Sequence, residues 1–139
     1  MTETVETLFD KGFERYRAGE EPETLISTFK EISDRAPKNA AAWTSLSWLY
    51  LLVDKPQAAL KAAQKAVKCD NRAPQARINL ALAMLETDKK GVREHIDLVQ
   101  QIMALDADLR RDIQENIEDG LTRKPDWKSL QRVKTWLEQ

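Results

Sequence analysis

The chain has 139 residues, enough for one domain, and its 22 lysines and arginines nearly balance its 23 aspartates and glutamates. This balance gives no general attraction to phosphate backbones, so we expect no nucleic-acid partner. The 42% apolar content is too high for a disordered chain. Four glycines are too few for a fold with many tight turns or for a glycine-rich phosphate loop. The abundance of strong helix formers favours helices.

An internal repeat of 34 residues organises the middle of the chain. Residues 42–55 align with 76–89, and the same shift places Pro22 over Pro56. A shift of 36 residues aligns the following segments, which indicates two extra residues in the turn of the third unit. Periods of this length are typical of stacked helical units, since no single unit can bury its apolar face alone.

Each unit predicts two helices. The units span about 6–39, 40–73 and 74–109, and a degenerate fourth unit or cap spans 110–139. Pro22 and Pro56 are predicted to begin second helices, where a missing N–H does no harm, and Pro74 lies near a joint between units. Residues 42–53 are apolar on more than one face, which predicts a central helix covered on most sides. Gly19 and Gly91 are expected in turns.

The second unit resembles the tetratricopeptide repeat, a helix–turn–helix with the pattern W-x2-L-G-x2-Y followed by A-x3-F, A and P. The matching residues are Trp43, Leu46, Ser47 in the glycine place, Tyr50, Ala59, Ala63 in the phenylalanine place, and Ala66. The third unit keeps Leu80, Ala81, Met84 and Ile102, with Arg77 in the tryptophan place. The resemblance implies an all-α, right-handed α-solenoid of antiparallel helix pairs with C-terminal capping helices, in one domain over residues 1–139.

The resemblance also implies that the first helix of each unit lines a concave groove that binds a partner. The corresponding residues are Phe9, Phe13, Tyr16, Ala41, Thr44, Trp48, Leu51, Gln75, Ile78, Leu82 and Leu85. Members that bind chaperones hold a terminal carboxylate with lysine, asparagine and arginine, and the matching places here form no such clamp. Because most of these residues are large and apolar, we expect an amphipathic helix or peptide of a partner protein as ligand.

An apolar stripe near the C-terminus leaves three arrangements open. Its members are Trp127, Leu130, Val133, Trp136 and Leu137, at helical spacing. This helix must bury its stripe by capping the stack, by folding back into the groove, or by pairing with a partner or a second copy. A homodimer through Trp127 and Trp136 is therefore the alternative to partner binding, because aromatic anchors dominate interface energetics.

Few residues have the chemistry of a catalytic site. His95 is the only histidine, and the only cysteine, Cys69, lies at an apolar repeat position and is expected to be buried and inert. No serine–histidine–aspartate set or shared metal site stands out, so we expect no enzyme, no cofactor and no metal.

A basic stripe follows the second helix of the second unit, formed by Lys61, Lys65, Lys68 and Arg72. It is either a solvated helix face or a docking patch for an acidic partner.

The acidic N-terminal segment lacks the pattern of a signal peptide, and the longest nearly uncharged stretch, 40–53, is shorter than the roughly 20 residues that span a bilayer. A single cysteine fits a reducing compartment. We therefore expect a cytoplasmic protein without direct membrane insertion. The function expected is that of a non-enzymatic adaptor or assembly factor. The alternative is a self-associating structural protein that uses the C-terminal tryptophan helix.

Overall fold

In the computed structural model, residues 3–139 are described, and they form eight α-helices without any β-strand in that range. The helices are α1 (Val5–Arg17), α2 (Pro22–Arg35), α3 (Ala40–Leu52), α4 (Pro56–Cys69), α5 (Pro74–Glu86), α6 (Val92–Leu105), α7 (Ala107–Arg123) and α8 (Lys128–Leu137). The predicted all-α class is confirmed. Met1 and Thr2, which begin the predicted domain and its acidic N-terminal segment, lie outside the described residues.

Prolines and side-chain caps begin several helices. Pro22 and Pro56 are the first residues of α2 and α4, as predicted, because a proline in the first turn loses no intrahelical hydrogen bond. Pro74, at the predicted joint between two units, is the first residue of α5. Asn39 caps α3, where its side-chain oxygen accepts a hydrogen bond from the backbone N–H of Ala42 at 3.1 Å.

The turns after α3 and α5 show the repeat in their backbone conformation. Asp54 and Asp88 stand at equivalent repeat positions and adopt φ values of 59° and 56°, in the left-handed region that aspartate tolerates better than most residues. Gly19 and Gly91 lie in turns, as predicted, with φ values of 92° and 95° that favour glycine. The first helices of the second and third units, α3 and α5, are therefore both followed by an aspartate in the left-handed conformation.

Two adjoining apolar clusters form the core, and α3 contributes to both. Trp43, Leu46 and Leu49 pack in the cluster built with α2 and α4. Leu51 and Leu52, at the other end of α3, belong to the cluster that continues through α5, α6, α7 and α8. The prediction that this helix is covered on most sides is confirmed.

The C-terminal helix turns its apolar stripe inward. Helix α8 packs against α5 and α6 as well as against α7. Leu130 and Val133 are fully buried there, and Leu137 is nearly so. The stripe is therefore buried within the chain at the end of the stack, except for Trp136, which is half-buried.

Cys69 corrects one expectation from the sequence. The thiol is exposed rather than buried, with Sγ 3.5 Å from the carbonyl oxygen of Pro37. Cys69 is the last residue of α4, and the buried alanine stripe of that helix ends one turn earlier, at Ala66.

Three buried polar side chains differ in how well they are satisfied. The Asn79 side-chain amide donates to the Ser47 hydroxyl at 2.9 Å and to the carbonyl oxygen of Thr44 at 3.0 Å, which ties α5 to α3. The Ser33 hydroxyl in α2 is equally buried but has no hydrogen-bond partner among the residues that the structure describes. Burying an unpaired hydroxyl is unfavourable, whereas a paired one stabilises the fold.

Alanine substitutions at the two buried serines are therefore expected to have opposite effects. We expect Ser33→Ala to raise the free energy of unfolding by about 0.5–1 kcal/mol, because it removes an unpaired hydroxyl and adds a better helix former. We expect Ser47→Ala to lower it by about 1–2 kcal/mol, because Asn79 loses an acceptor. Urea denaturation followed by circular dichroism measures both values. A loss in Ser33→Ala as large as that in Ser47→Ala would contradict this assignment.

Candidate functional site

The first helices α1, α3 and α5 face a shared concave side, and α7 runs across it. The side-chain amide of Asn116 in α7 donates to Oε1 of Gln75 in α5 at 3.0 Å. Further along α7, Asp119 accepts a hydrogen bond from the Tyr16 hydroxyl of α1. Helix α7 is thus tied to α5 and α1, and the groove has a fourth wall.

A cluster of four side chains joins α1, α3 and α7. The Trp48 Nε1–H donates to the Tyr16 hydroxyl at 2.9 Å, and that hydroxyl donates to Asp119. The Arg123 guanidinium lies 3.8 Å from the centre of the Tyr16 ring and bonds to the Asp119 carboxylate at 3.1 Å. Burial and the hydrogen bond to Asp119 raise the pKa of Tyr16, so the phenol keeps its proton and remains a donor.

The turn between α7 and α8 covers one half of the groove. The Trp127 ring lies 5.3 Å from the Trp48 ring between centroids, and its Nε1–H donates to Glu86 at 2.7 Å. Trp127 is only 4% exposed. Lys124 closes the same side, with Nζ 2.7 Å from the Asp54 carboxylate. The chain itself therefore occupies this part of the groove.

Gly120 makes this close packing possible. A Cβ atom at this position would lie 2.7 Å from Cδ2 of Leu130 and 2.9 Å from the Trp48 ring. Real Cβ atoms do not approach other heavy atoms so closely, so any larger residue here requires the Leu130 or Trp48 side chain to shift.

The structure divides the predicted groove residues into two sets. Leu51, Ile78 and Leu82 are fully buried, so no partner reaches them in this conformation, and Leu85 is half-buried against the same core. Phe9 is half-buried, with its ring 5.6 Å from that of Phe29.

Ala41 is exposed and lies outside the cleft lining. The remaining predicted residues line an open cleft of about 130 Å³, which we call the concave cleft. Those in its lining are Phe13, Tyr16, Thr44, Trp48 and Gln75. Sequence reasoning missed six further lining residues, which are Phe29, Ser45, Leu49, Asn79, Asn116 and Asp119. The long-range approach of α7 brings the last two there, and no local sequence pattern signals it.

Phe13 is the exposed large apolar residue in the lining of the concave cleft. Phe13 is 46% exposed, and among the described residues the other exposed large apolar residue is Leu105, at 84%. The polar lining is internally paired, since the Gln75 amide donates to Asn79 at 2.9 Å while accepting from Asn116. Among the described lining residues, the only charged side chain is Asp119.

The remaining candidate residues lie away from the concave cleft. The stripe of Lys61, Lys65, Lys68 and Arg72 is exposed on α4 and the turn that follows it. The Lys65 ammonium lies 4.5 Å from the centre of the Trp43 ring. None of the four stripe residues belongs to the lining of the concave cleft.

His95 pairs with an arginine rather than with carboxylates. Its Nδ1 lies 2.9 Å from Nη1 of Arg77, across the packed helices α5 and α6. Burial, and then the positive charge of Arg77, lower the pKa of His95 below its ordinary value. In the described range, no group of three or more histidine, cysteine, aspartate and glutamate residues is placed to hold a metal ion. None of the helices in that range is long and apolar enough to cross a membrane.

The two tryptophans of the predicted dimer face have different surroundings. Trp127 is buried against Trp48, whereas Trp136 is half-buried between the guanidinium groups of Arg93 and Arg132. In this conformation only Trp136 presents a surface to a second copy.

Comparisons with known proteins give structural relatives only: no family model and no curated protein matches the sequence. The fold is similar to that of SycD, a type III secretion translocator chaperone of Yersinia enterocolitica in an alternative dimer. The TM-score is 0.65 at 17% identity, covering 99% of this chain and 92% of that chain.

Two tetratricopeptide-repeat domains are also similar. One is the first such domain of Spaghetti (RPAP3), bound to the HSP90 peptide SRMEEVD, with a TM-score of 0.57 at 15% identity, covering 97% of this chain and 94% of that one. The other is the second domain of human RPAP3 in complex with the HSP70 peptide SGPTIEEVD, with a TM-score of 0.57 at 16% identity, covering 97% and 95%. At these identities the similarity establishes a tetratricopeptide-repeat fold.

The packing of α7 against Trp48 can be tested by substituting Gly120. We expect Gly120→Ala to lower the free energy of unfolding by about 1–2 kcal/mol, because overpacking outweighs the better helix propensity of alanine. The matched control is Gln114→Ala on the exposed face of α7, expected to change it by less than about 0.5 kcal/mol. A Gly120→Ala protein more stable than wild type would mean that α7 does not pack on Trp48.

The tyrosine of the four-residue cluster can be tested separately. Tyr16→Phe removes the acceptor of Trp48 and the donor to Asp119, so we expect thermal unfolding to show a loss of about 2–3 kcal/mol. The chain's other tyrosine, Tyr50, lies outside this cluster, and Tyr50→Phe serves as the control. Equal stability of the two variants would show that the hydroxyl of Tyr16 does not hold α7 in place.

Proposed function

We propose that this chain, which has the fold of tetratricopeptide-repeat domains, is a non-enzymatic protein-interaction module. It holds one large apolar side chain of a partner segment in the concave cleft and so acts as an adaptor or assembly factor. The observation that carries the proposal is the open cleft beside the exposed Phe13 ring, on the face that the first helices share. An exposed apolar surface at a concavity is typical of an interaction site.

The volume of the concave cleft indicates how much of a partner it accepts. Its volume of about 130 Å³ is close to the roughly 150 Å³ of an engineered protein cavity that binds benzene. One aromatic or large aliphatic side chain therefore fits, whereas a whole helix face does not. Because Leu51, Ile78 and Leu82 are buried, we propose that one anchor side chain binds here, instead of a helix along the full groove.

Three polar side chains lie at the rim, and each already makes a hydrogen bond within the chain. Asn116 is exposed, and Gln75 and Thr44 are half-buried at the opening. An anchor side chain in an apolar pocket with polar groups around it is the usual anatomy of a specific interface. The concave cleft therefore supplies an apolar contact, and the exposed Asn116 is the polar side chain best placed to orient a partner.

Self-association is the second candidate function. The structurally similar SycD is described as a dimer, and here Trp136 keeps an accessible surface on α8. Such a dimer would rest on Trp136 rather than on Trp127, because Trp127 is buried. Light scattering of wild type and Trp136→Ala separates this candidate from partner binding.

We propose the cytoplasm as the place of action. The single cysteine, which fits a reducing compartment, supports this location.

The function can be tested by removing the exposed phenylalanine. We expect Phe13→Ala to lose partners that wild type captures from the native organism, as identified by mass spectrometry. A hot-spot anchor is typically worth 2 kcal/mol or more, or about thirtyfold in affinity. The matched control is Leu105→Ala, which removes the other exposed large apolar side chain and is 84% exposed on α6. Retention of the same partners by Phe13→Ala would rule out the concave cleft as the binding site.

A further inference from the structure

Carboxylates continue along the face of α7 that lines the concave cleft. Asn116 and Asp119 belong to the lining. Asp112 and Glu115 lie one helical turn before them, at i−4 in each case, so they share this face. Both are exposed. Helix α7 therefore presents a row of negative charge that leads to the opening.

The opposite wall is acidic as well. On α1, Asp10 precedes the lining residue Phe13 by three positions, and Glu6 precedes Asp10 by four, which places both carboxylates on the Phe13 face of the helix. Both are exposed. Between these acidic walls, α3 and α5 contribute only uncharged side chains to the lining.

Three arginines lie on these same two faces. Arg111 lies four residues before Glu115 and is 3.5 Å from the Asp108 carboxylate. Arg123 is committed to Asp119 and to the face of the Tyr16 ring. Arg17 lies 5.7 Å from the centre of the Phe13 ring, at the edge of the opening.

The four carboxylates that flank the opening have no salt bridge. Glu6, Asp10, Asp112 and Glu115 have no lysine or arginine nitrogen within 4.0 Å among the described residues. Together with Asp119, these carboxylates outnumber the three arginines on the same faces, so the surroundings of the apolar cleft have a net negative charge.

Charge of one sign beside a cleft with apolar walls attracts ligands of the other sign and repels ligands of the same sign. We infer that the segment held in the concave cleft is cationic: an aromatic or large aliphatic anchor with lysine or arginine on both sides. This inference rests on the proposed function, since it specifies the chemistry of the segment that the cleft binds. It also predicts that acidic peptides such as those bound by the two RPAP3 domains are repelled.

The test uses the full-length protein and three labelled peptides in fluorescence anisotropy. The first peptide has one phenylalanine between pairs of lysines, the second has glutamates in place of the lysines, and the third keeps the lysines but has serine in place of phenylalanine. The protein variant is Asp112→Asn with Glu115→Gln on α7. The matched control is Glu23→Gln with Asp34→Asn, which removes the same charge from exposed positions on α2.

We expect the lysine–phenylalanine peptide to bind at least about tenfold more tightly than the glutamate peptide at about 50 mM salt, with a smaller ratio at about 500 mM. The α7 variant should weaken binding of that peptide by about three- to tenfold, while the α2 control binds as wild type does. The serine peptide should lose most of the binding.

Five results would overturn the inference. Equal or tighter binding of the glutamate peptide would show that the partner is not cationic, and the proposed function would stand because the phenylalanine is still required. Equal weakening by the α7 and α2 variants, or binding that does not need phenylalanine, would show general charge attraction. Binding of neither phenylalanine peptide would overturn the proposed function together with the inference. A self-associated protein whose dimer dissociates in the α7 variant would show that a second copy occupies the cleft.

Discussion

The packing of the Trp48 indole determines how the C-terminal quarter of the molecule is placed. Its ring meets the Gly120 backbone and the Trp127 ring, and its N–H donates to Tyr16. Aromatic rings bury more apolar area than other side chains, so a half-covered tryptophan on an open concave face is a strong site for a further element to dock. Helix α7 and its following turn take that place, and the stack thereby gains its end cap.

The same contact explains why only half of the expected groove is open. Trp127 and Lys124 cover the side beyond Trp48, while Phe13 remains exposed on the other side. Because α7 forms the wall of the open half, it also sets the charge there: Asp119 lines the concave cleft, and the exposed carboxylates Asp112 and Glu115 lead to it. One docking event therefore reduces the size of the cleft and makes its surroundings acidic.

The sequence predicts the helical stack well, because the information for it is local. Pro22 and Pro56 begin helices through their fixed φ, and the apolar residues around α3 require cover on most sides. The site is less predictable because it depends on contacts between residues that lie far apart in the chain, such as Lys124 and Asp54, which are 70 positions apart. Gly120 is the one sequence signal available, since a glycine inside a helix often marks a close approach, but it does not name the partner residue.

The groove residues that the repeat resemblance implies show that repeat position alone does not predict whether a side chain is exposed. Repeat position alone places Leu82 and Phe13 in the same groove, and the structure buries the first while exposing the second. Position in a repeat tells which way a side chain points from its own helix. It does not tell whether a later segment covers that side chain.

The four tryptophan indoles offer the most direct test of the central claim, that the open half of the concave face is the binding site. Trp48 lines the concave cleft, Trp127 is buried in the α7–α8 turn, and Trp43 and Trp136 lie elsewhere. The measurement is the change in the indole N–H resonances of the labelled protein on addition of the lysine–phenylalanine peptide. We expect a large shift for Trp48 and none for Trp43 or Trp136. A shift at Trp43 or Trp136 with an unchanged Trp48 would contradict this expectation.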